Sequence, residues 1–104
     1  MLDGNWKITN YIDSGENETY KFNGHTFDFA NGGSVSVSTG SGTVQGSWST
    51  GEDDSHVKLY LSFSSLPHED ISDDWHVVSQ TSSKIELEDI SGGNGGADYL
   101  TFER

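Results

Sequence analysis

Four histidines, His25, His56, His68 and His76, and two acidic loops are the groups of side chains in this sequence whose types could ligate a metal or move a proton. Within one element, two imidazoles share a metal when they stand at i, i+2 on a strand or i, i+4 on a helix. The histidines show neither spacing, so no transition-metal site is expected. Glu52, Asp53, Asp54 and His56 crowd one loop, and Glu69, Asp70, Asp73 and Asp74 surround another beside His68. Oxygen-rich loops hold calcium when their ligands alternate at fixed positions. These do not alternate, and solvated charge is the expectation for both. The stretch from Gly92 to Leu100 approaches the calcium-binding pattern G-G-x-G-x-D-x-L but carries one residue too many before Asp98. That pattern works in stacked copies and occurs here once, so it reads as a hairpin loop.

Catalytic patterns are similarly missing. There is no G-x-S-x-G elbow, and with no cysteine there is neither thiol chemistry nor a thiolate metal site. Nothing singles out two of the 17 acidic residues as a glycosidase pair. The expectation is a non-enzymatic protein with no catalytic residues, cofactor or metal. Its formal charge of −12, from 17 acidic against 5 basic residues, repels phosphate backbones, which excludes nucleic acid as a partner. Cations or a basic protein surface remain, and acidic side chains also keep exposed strand edges from pairing. No apolar run approaches membrane-spanning length, and no basic segment followed by an apolar run precedes the first strand.

The elements that must position any site are strands. Eight short β-rich runs are predicted, at 4–13, 25–30, 34–39, 43–50, 57–63, 73–80, 84–89 and 99–103, each bounded by Gly, Asn, Ser or Asp. The chain 1–104 is one domain, too short for a core plus an insertion. The segment 14–20 has no clear period and reads as a connection with one helical turn before Phe22. The segment 65–72 contains the only proline, Pro67, and reads as a turn or crossover. Strict alternation points Trp6, Ile8, Ile12, Phe27, Phe29, Val35, Val37, Val44, Trp48, Leu59, Leu61, Phe63, Trp75, Val77, Ile85, Leu87, Leu100 and Phe102 inward. It also places Asn10, His25 and Ser79 on the inner face. Gly46 falls between two inward residues, which reads as a bend or as a space filled by the neighbouring Trp48 ring.

An up-and-down order of eight strands closed on itself removes free edges and encloses a narrow apolar interior. Gly4-Asn5-Trp6 resembles the G-x-W signature of the lipocalins, and Arg104 resembles the basic residue that packs over that tryptophan. The whole chain is similar to the small lipocalin-like domains of Bacteroidetes exported proteins, which share the G-x-W opening, a D-W-x-V strand like Asp74-Trp75-His76-Val77 and a closing D-Y-L-T-F like Asp98 to Phe102. The resemblance implies an all-β, small up-and-down antiparallel barrel, closed by Trp6 and Arg104. It also implies a small apolar or amphipathic ligand and an exported, periplasmic or cell-surface setting.

The residues expected to meet such a ligand are Asn10, His25, Phe27, Trp48, Trp75 and Ser79. The inward set is bulky for strands this short, so a barrel filled nearly solid, with any pocket small and near one end, is equally compatible. The alternative function is then a structural or protein-interaction module acting through its acidic surface, with Tyr11, Tyr20 and Tyr60 exposed beside acids.

Overall fold

A computed structural model describes residues 4–53, 56–65, 67–90 and 97–104. The glycine-rich segment 92–96 and Asp54, on which part of the calcium reading rests, lie outside the described residues. The strands are β1 (Gly4–Asp13), β2 (Glu16–Asn17), β3 (Thr26–Phe29), β4 (Ser34–Thr39), β5 (Gly42–Asp53), β6 (His56–Phe63), β7 (Asp73–Gln80), β8 (Lys84–Ile90) and β9 (Ala97–Glu103). All pair antiparallel, in the order β2-β1-β3-β4-β5-β6-β7-β8-β9, and β9 returns to pair with β1. Eight strands therefore close into a barrel, as expected, and β2 is a short spur on the end of β1. Ser14 and Gly15 both hold positive φ, 49° and 91°, the geometry of a two-residue hairpin turn, which pairs Asp13 with Glu16. This hairpin falls in the stretch read as a connection, because two polar residues have no period to detect.

The core is a continuous set of apolar side chains from the barrel strands and from the two turns at 19–22 and 68–71. Trp6, Tyr11, Phe22, Phe27, Phe29, Leu59, Ile71, Trp75, Ile85, Leu87 and Phe102 are its largest fully buried members. Phe27 meets Phe102, Phe63 and Phe29, and Phe29 meets Phe102 and Trp48, mostly edge to face. Each such pair contributes about 0.5–1.5 kcal/mol beyond burial of area. Gly46 is required by one of these rings. A Cβ there would collide with the Phe63 ring and stand 2.6 Å from the Ser62 carbonyl oxygen. The space beside Gly46 is thus filled by Phe63 across the β5–β6 ladder, and not by Trp48.

Strict alternation fails at two places, for one reason. The register of β1 against β9 shifts between Ile8 and Asn10, and that of β7 against β8 shifts between Val77 and Ser79. Each bulge inserts one unpaired residue and turns every later side chain to the opposite face. In β1 this brings Tyr11 into the core at 2% exposure, while Ile12 is only half-buried and Asn10 turns to the outer wall. Tyr11 is therefore no part of the exposed tyrosine surface expected for it, although Tyr20 and Tyr60 are exposed. In β7, Trp75 stays in the core, Val77 packs partly against it, and Val78 and Ser79 are exposed.

Candidate functional site

Two 3-10 turns build one end of the barrel. The first spans Thr19–Phe22 and the second His68–Ile71, where Pro67, at φ −82°, starts the turn and the Asp70 amide donates to its carbonyl at 3.1 Å. They are tied together. Lys21 Nζ reaches Glu18 Oε1 at 3.0 Å and Asp70 Oδ2 at 3.2 Å, and the buried Tyr11 hydroxyl donates to the Asp70 carbonyl at 3.1 Å. Those two carboxylates, Glu18 first, hold the Lys21 amine above its ordinary range, while burial pushes the Tyr11 phenol up.

The second turn carries His68 into the barrel mouth, where only 1% of it is exposed. Phe22, Phe27 and Phe63 surround its ring at centroid distances of 5.6, 5.7 and 5.5 Å. His25, placed by a hydrogen bond from its amide to the Phe22 carbonyl, brings Nδ1 to 3.0 Å from His68 Nε2. One nitrogen donates and the other accepts. His68 Nδ1 has no hydrogen-bond partner among the described residues. Burial, with a smaller contribution from His25, lowers the affinity of His68 for a proton. A cleft of about 330 Å³ opens over this pair, lined by Lys21, His25, Thr39, Ser41, Val44, Pro67 and His68. It offers ammonium, imidazole and hydroxyl donors beside two apolar side chains.

The six residues expected to meet a ligand do not converge. His25 lies in the mouth, while Phe27 and Trp75 are inside the core, the Trp75 indole donating to the Ile71 carbonyl at 3.0 Å. Trp48 is half-buried near the β3–β4 turn, its indole donating to the Ala30 carbonyl at 2.9 Å. The bulges put Asn10 and Ser79 outside. Asn10 borders an outer cleft with Val78 and Tyr99, and the Ser79 hydroxyl donates to Glu86 at 2.9 Å. The closing pair does meet, with the Arg104 guanidinium carbon 4.4 Å from the centroid of the Trp6 ring. Arg104 Nε also donates to the Ser82 carbonyl at 2.7 Å.

Two further clusters bring distant residues together. Asp73, Asp89 and Asp98, from three adjacent strands, have carboxylate oxygens within 4.8 Å of one another. Burial and a hydrogen bond with Asp89 push Asp73 up to about 7, so this group holds a proton near neutrality. Asp13 is also raised, by burial and by Asp98. On the outer wall the rings of His56 and His76 lie 4.7 Å apart beside Lys58, Asp74, Glu88 and Asp89. Sequence spacing missed both histidine pairs and the aspartate cluster, since the aspartates and the His56–His76 pair are made across strands and His25 meets His68 through the turns at the barrel mouth. A reliable register would have revealed the first two, and only the fold of the turns the third.

A profile of the lipocalin-like domain family matches residues 2–87. The chain belongs to the lipocalin-like domain family. Among solved structures, this lipocalin-like domain is similar to a DUF4847 family protein from Bacteroides vulgatus, with a TM-score of 0.59 and 15% sequence identity over 97% of this chain and 92% of the other. At that identity the likeness concerns the fold. No curated protein matches the sequence. Among the described residues of this lipocalin-like domain, no helix is long and apolar enough to cross a membrane.

Proposed function

We propose that this lipocalin-like domain is a non-enzymatic binding module that takes a small amphipathic ligand in the mouth cleft rather than in the barrel interior. The observation that carries the reading is the division of space. Interior positions are taken by Trp6, Trp75, Phe27, Phe102 and their neighbours, whereas the cleft over His25 and His68 has about 330 Å³. A volume of that order suits a small ligand, and its mixed lining suits one with a polar head and an apolar body. Val44 and Pro67 supply the apolar contact, and His25, Thr39 and Ser41 the hydrogen bonds.

Titration of the isotope-labelled protein with medium-chain fatty acids, retinoids and steroid-like probes tests this. The expected result is a saturable set of amide and methyl shifts confined to Lys21, His25, Thr39, Ser41 and Val44. Absence of any saturable shift up to millimolar probe overturns the reading.

The filled interior also favours a second reading, an interaction module of an exported protein that works through its acidic outer surface. Tyr20, Tyr60 and Tyr99 stand exposed there. Capture of a basic protein partner that is lost when these tyrosines are replaced, together with a silent cleft, would decide for it. An exported or cell-surface setting belongs to both readings and rests on the family likeness.

A further inference from the structure

We propose that His25 and His68 form a binding site for a divalent late first-row metal ion, copper or nickel foremost, held by His25 Nδ1 and His68 Nε2 at the floor of the mouth cleft. The inference goes beyond the ligand reading above and does not require an organic ligand.

The geometry of the two nitrogens suits such an ion. A metal about 2.0–2.1 Å from each of two imidazole nitrogens that stand 3.0 Å apart subtends an angle of roughly 95°. That is the relation of neighbouring ligands in square-planar or octahedral coordination, the preference of copper and nickel, and imidazole is a ligand both accept. The cleft above the pair leaves the remaining positions open to water.

The site is also held in place. Phe22, Phe27 and Phe63 enclose the His68 ring, and the Phe22 ring meets His25 edge to face with centroids 6.2 Å apart. Little side-chain freedom remains to be lost on binding. Electrostatics do not oppose a cation. The one ammonium lining the cleft, on Lys21, is compensated by Glu18 and Asp70, and the chain carries a net charge of −12.

One feature limits the affinity. With a metal on Nε2, the His68 proton must sit on Nδ1, the nitrogen without a hydrogen-bond partner among the described residues. Ligating histidines ordinarily donate that proton to an outer acceptor, and losing the acceptor weakens binding by about 10–100-fold. The site is accordingly a weak, exchangeable one.

His56 and His76 lie close to each other on the outer wall and could bind metal themselves, so the test removes them first. Calorimetric titration of the His56→Gln/His76→Gln protein with nickel chloride at pH 7.5 should give one equivalent of binding. Adding His25→Gln should weaken it by more than about 100-fold, since loss of an outer partner of a ligating histidine alone costs about 10–100-fold. Because that change could also disturb the mouth, zinc titration of the His56→Gln/His76→Gln protein, which keeps both mouth histidines, is followed by imidazole nitrogen NMR. Joint movement of His25 Nδ1 and His68 Nε2, with the other two nitrogens of these rings nearly still, supports the site. Nickel binding that is missing in the His56→Gln/His76→Gln protein, or that survives His25→Gln unchanged, overturns the proposal, as does zinc binding that leaves the two facing nitrogens unmoved. A negative metal result leaves the amphipathic-ligand titration unaffected, so the two readings fail separately.

Discussion

The two ends of the barrel are built from different chemistry. At one end the Arg104 guanidinium lies over Trp6, and the Trp48 indole and Arg104 Nε donate to main-chain carbonyls. None of those groups changes charge between acid and mildly basic conditions. At the mouth His25 faces His68, Lys21 joins Glu18 to Asp70, and the Asp73 cluster stands on the neighbouring strands. The side chains of these three clusters can gain or lose a proton, among hydroxyls such as Thr39 and Ser41 that do not. The contrast teaches that the contacts of Trp6, Trp48 and Arg104 that close one end keep their charge across this range, while the mouth carries titratable groups that are costly to bury.

Removing the anchor of the fixed end should have the largest effect. Trp6→Ala is expected to cost about 3–5 kcal/mol, because it opens a cavity and removes the surface under Arg104. Urea unfolding measures it, and a loss below about 1 kcal/mol would show that the fixed end is not what holds the barrel. Next comes the wall of the mouth. Gly46→Ala should cost about 1–3 kcal/mol, since the new methyl meets the Phe63 ring and the unyielding Ser62 carbonyl. Phe63 also touches His68, so the same variant should shift the His68 ring signals, and Phe63→Leu added to it should restore part of the stability.

A smaller change separates the ends by pH. The folded protein holds a proton on Asp73 up to pH about 7, whereas the unfolded chain releases it near 3.8. Its contribution is therefore favourable in acid and is lost as pH rises from about 4 to 7. Asp73→Asn should remove that slope and stabilise the protein at pH 8 by on the order of 1 kcal/mol once solvent screening is allowed for. Destabilisation at pH 8 would mean that the carboxylate is stabilising as an anion. Arg104→Ala should cost about 0.5–1 kcal/mol, the range of an exposed cation over an aromatic ring, with no dependence on pH between 5 and 8. A double-mutant cycle with Trp6→Ala should be non-additive, and strict additivity would break the account of the fixed end.

The smallest effect is expected from His68→Leu at pH 8, within about 1 kcal/mol of the parent, because losing the Nε2 hydrogen bond to His25 is offset by removing the buried Nδ1 that has no partner among the described residues. At lower pH the two should diverge. The unfolded chain takes up the His68 proton near pH 6.5 and the folded protein only at lower pH, so the parent loses stability as pH falls through 6.5. The leucine variant should lack that loss, and identical acid profiles would show that His68 does not resist protonation.

Much of the fold was legible because strands, turns and aromatics are local signals. β7 is predicted and found at Asp73–Gln80, and the alternation of Leu59, Leu61 and Phe63 is the stripe that enters the core. The mouth was not legible in the same way. His25 and His68 are 43 residues apart and meet only because two turns fold over the same rim, and Asp73, Asp89 and Asp98 meet only through register. Asn10 and Ser79 were placed on the wrong face because a bulge depends on how the partner strand pairs, which no count along one strand can reveal.

The bulge in β1 has a consequence for how relatives of this chain are compared. Residues before it and after it obey two different parities, so an alignment that scores the strand as a single alternating block will pair Tyr11 with a neighbour's outward residue. A chain lacking the extra residue would appear to have swapped an interior aromatic for a polar side chain, though both interiors were the same. Aligning Gly4–Ile8 and Asn10–Asp13 as separate half-strands, with a one-residue gap allowed between them, would keep the equivalent positions together.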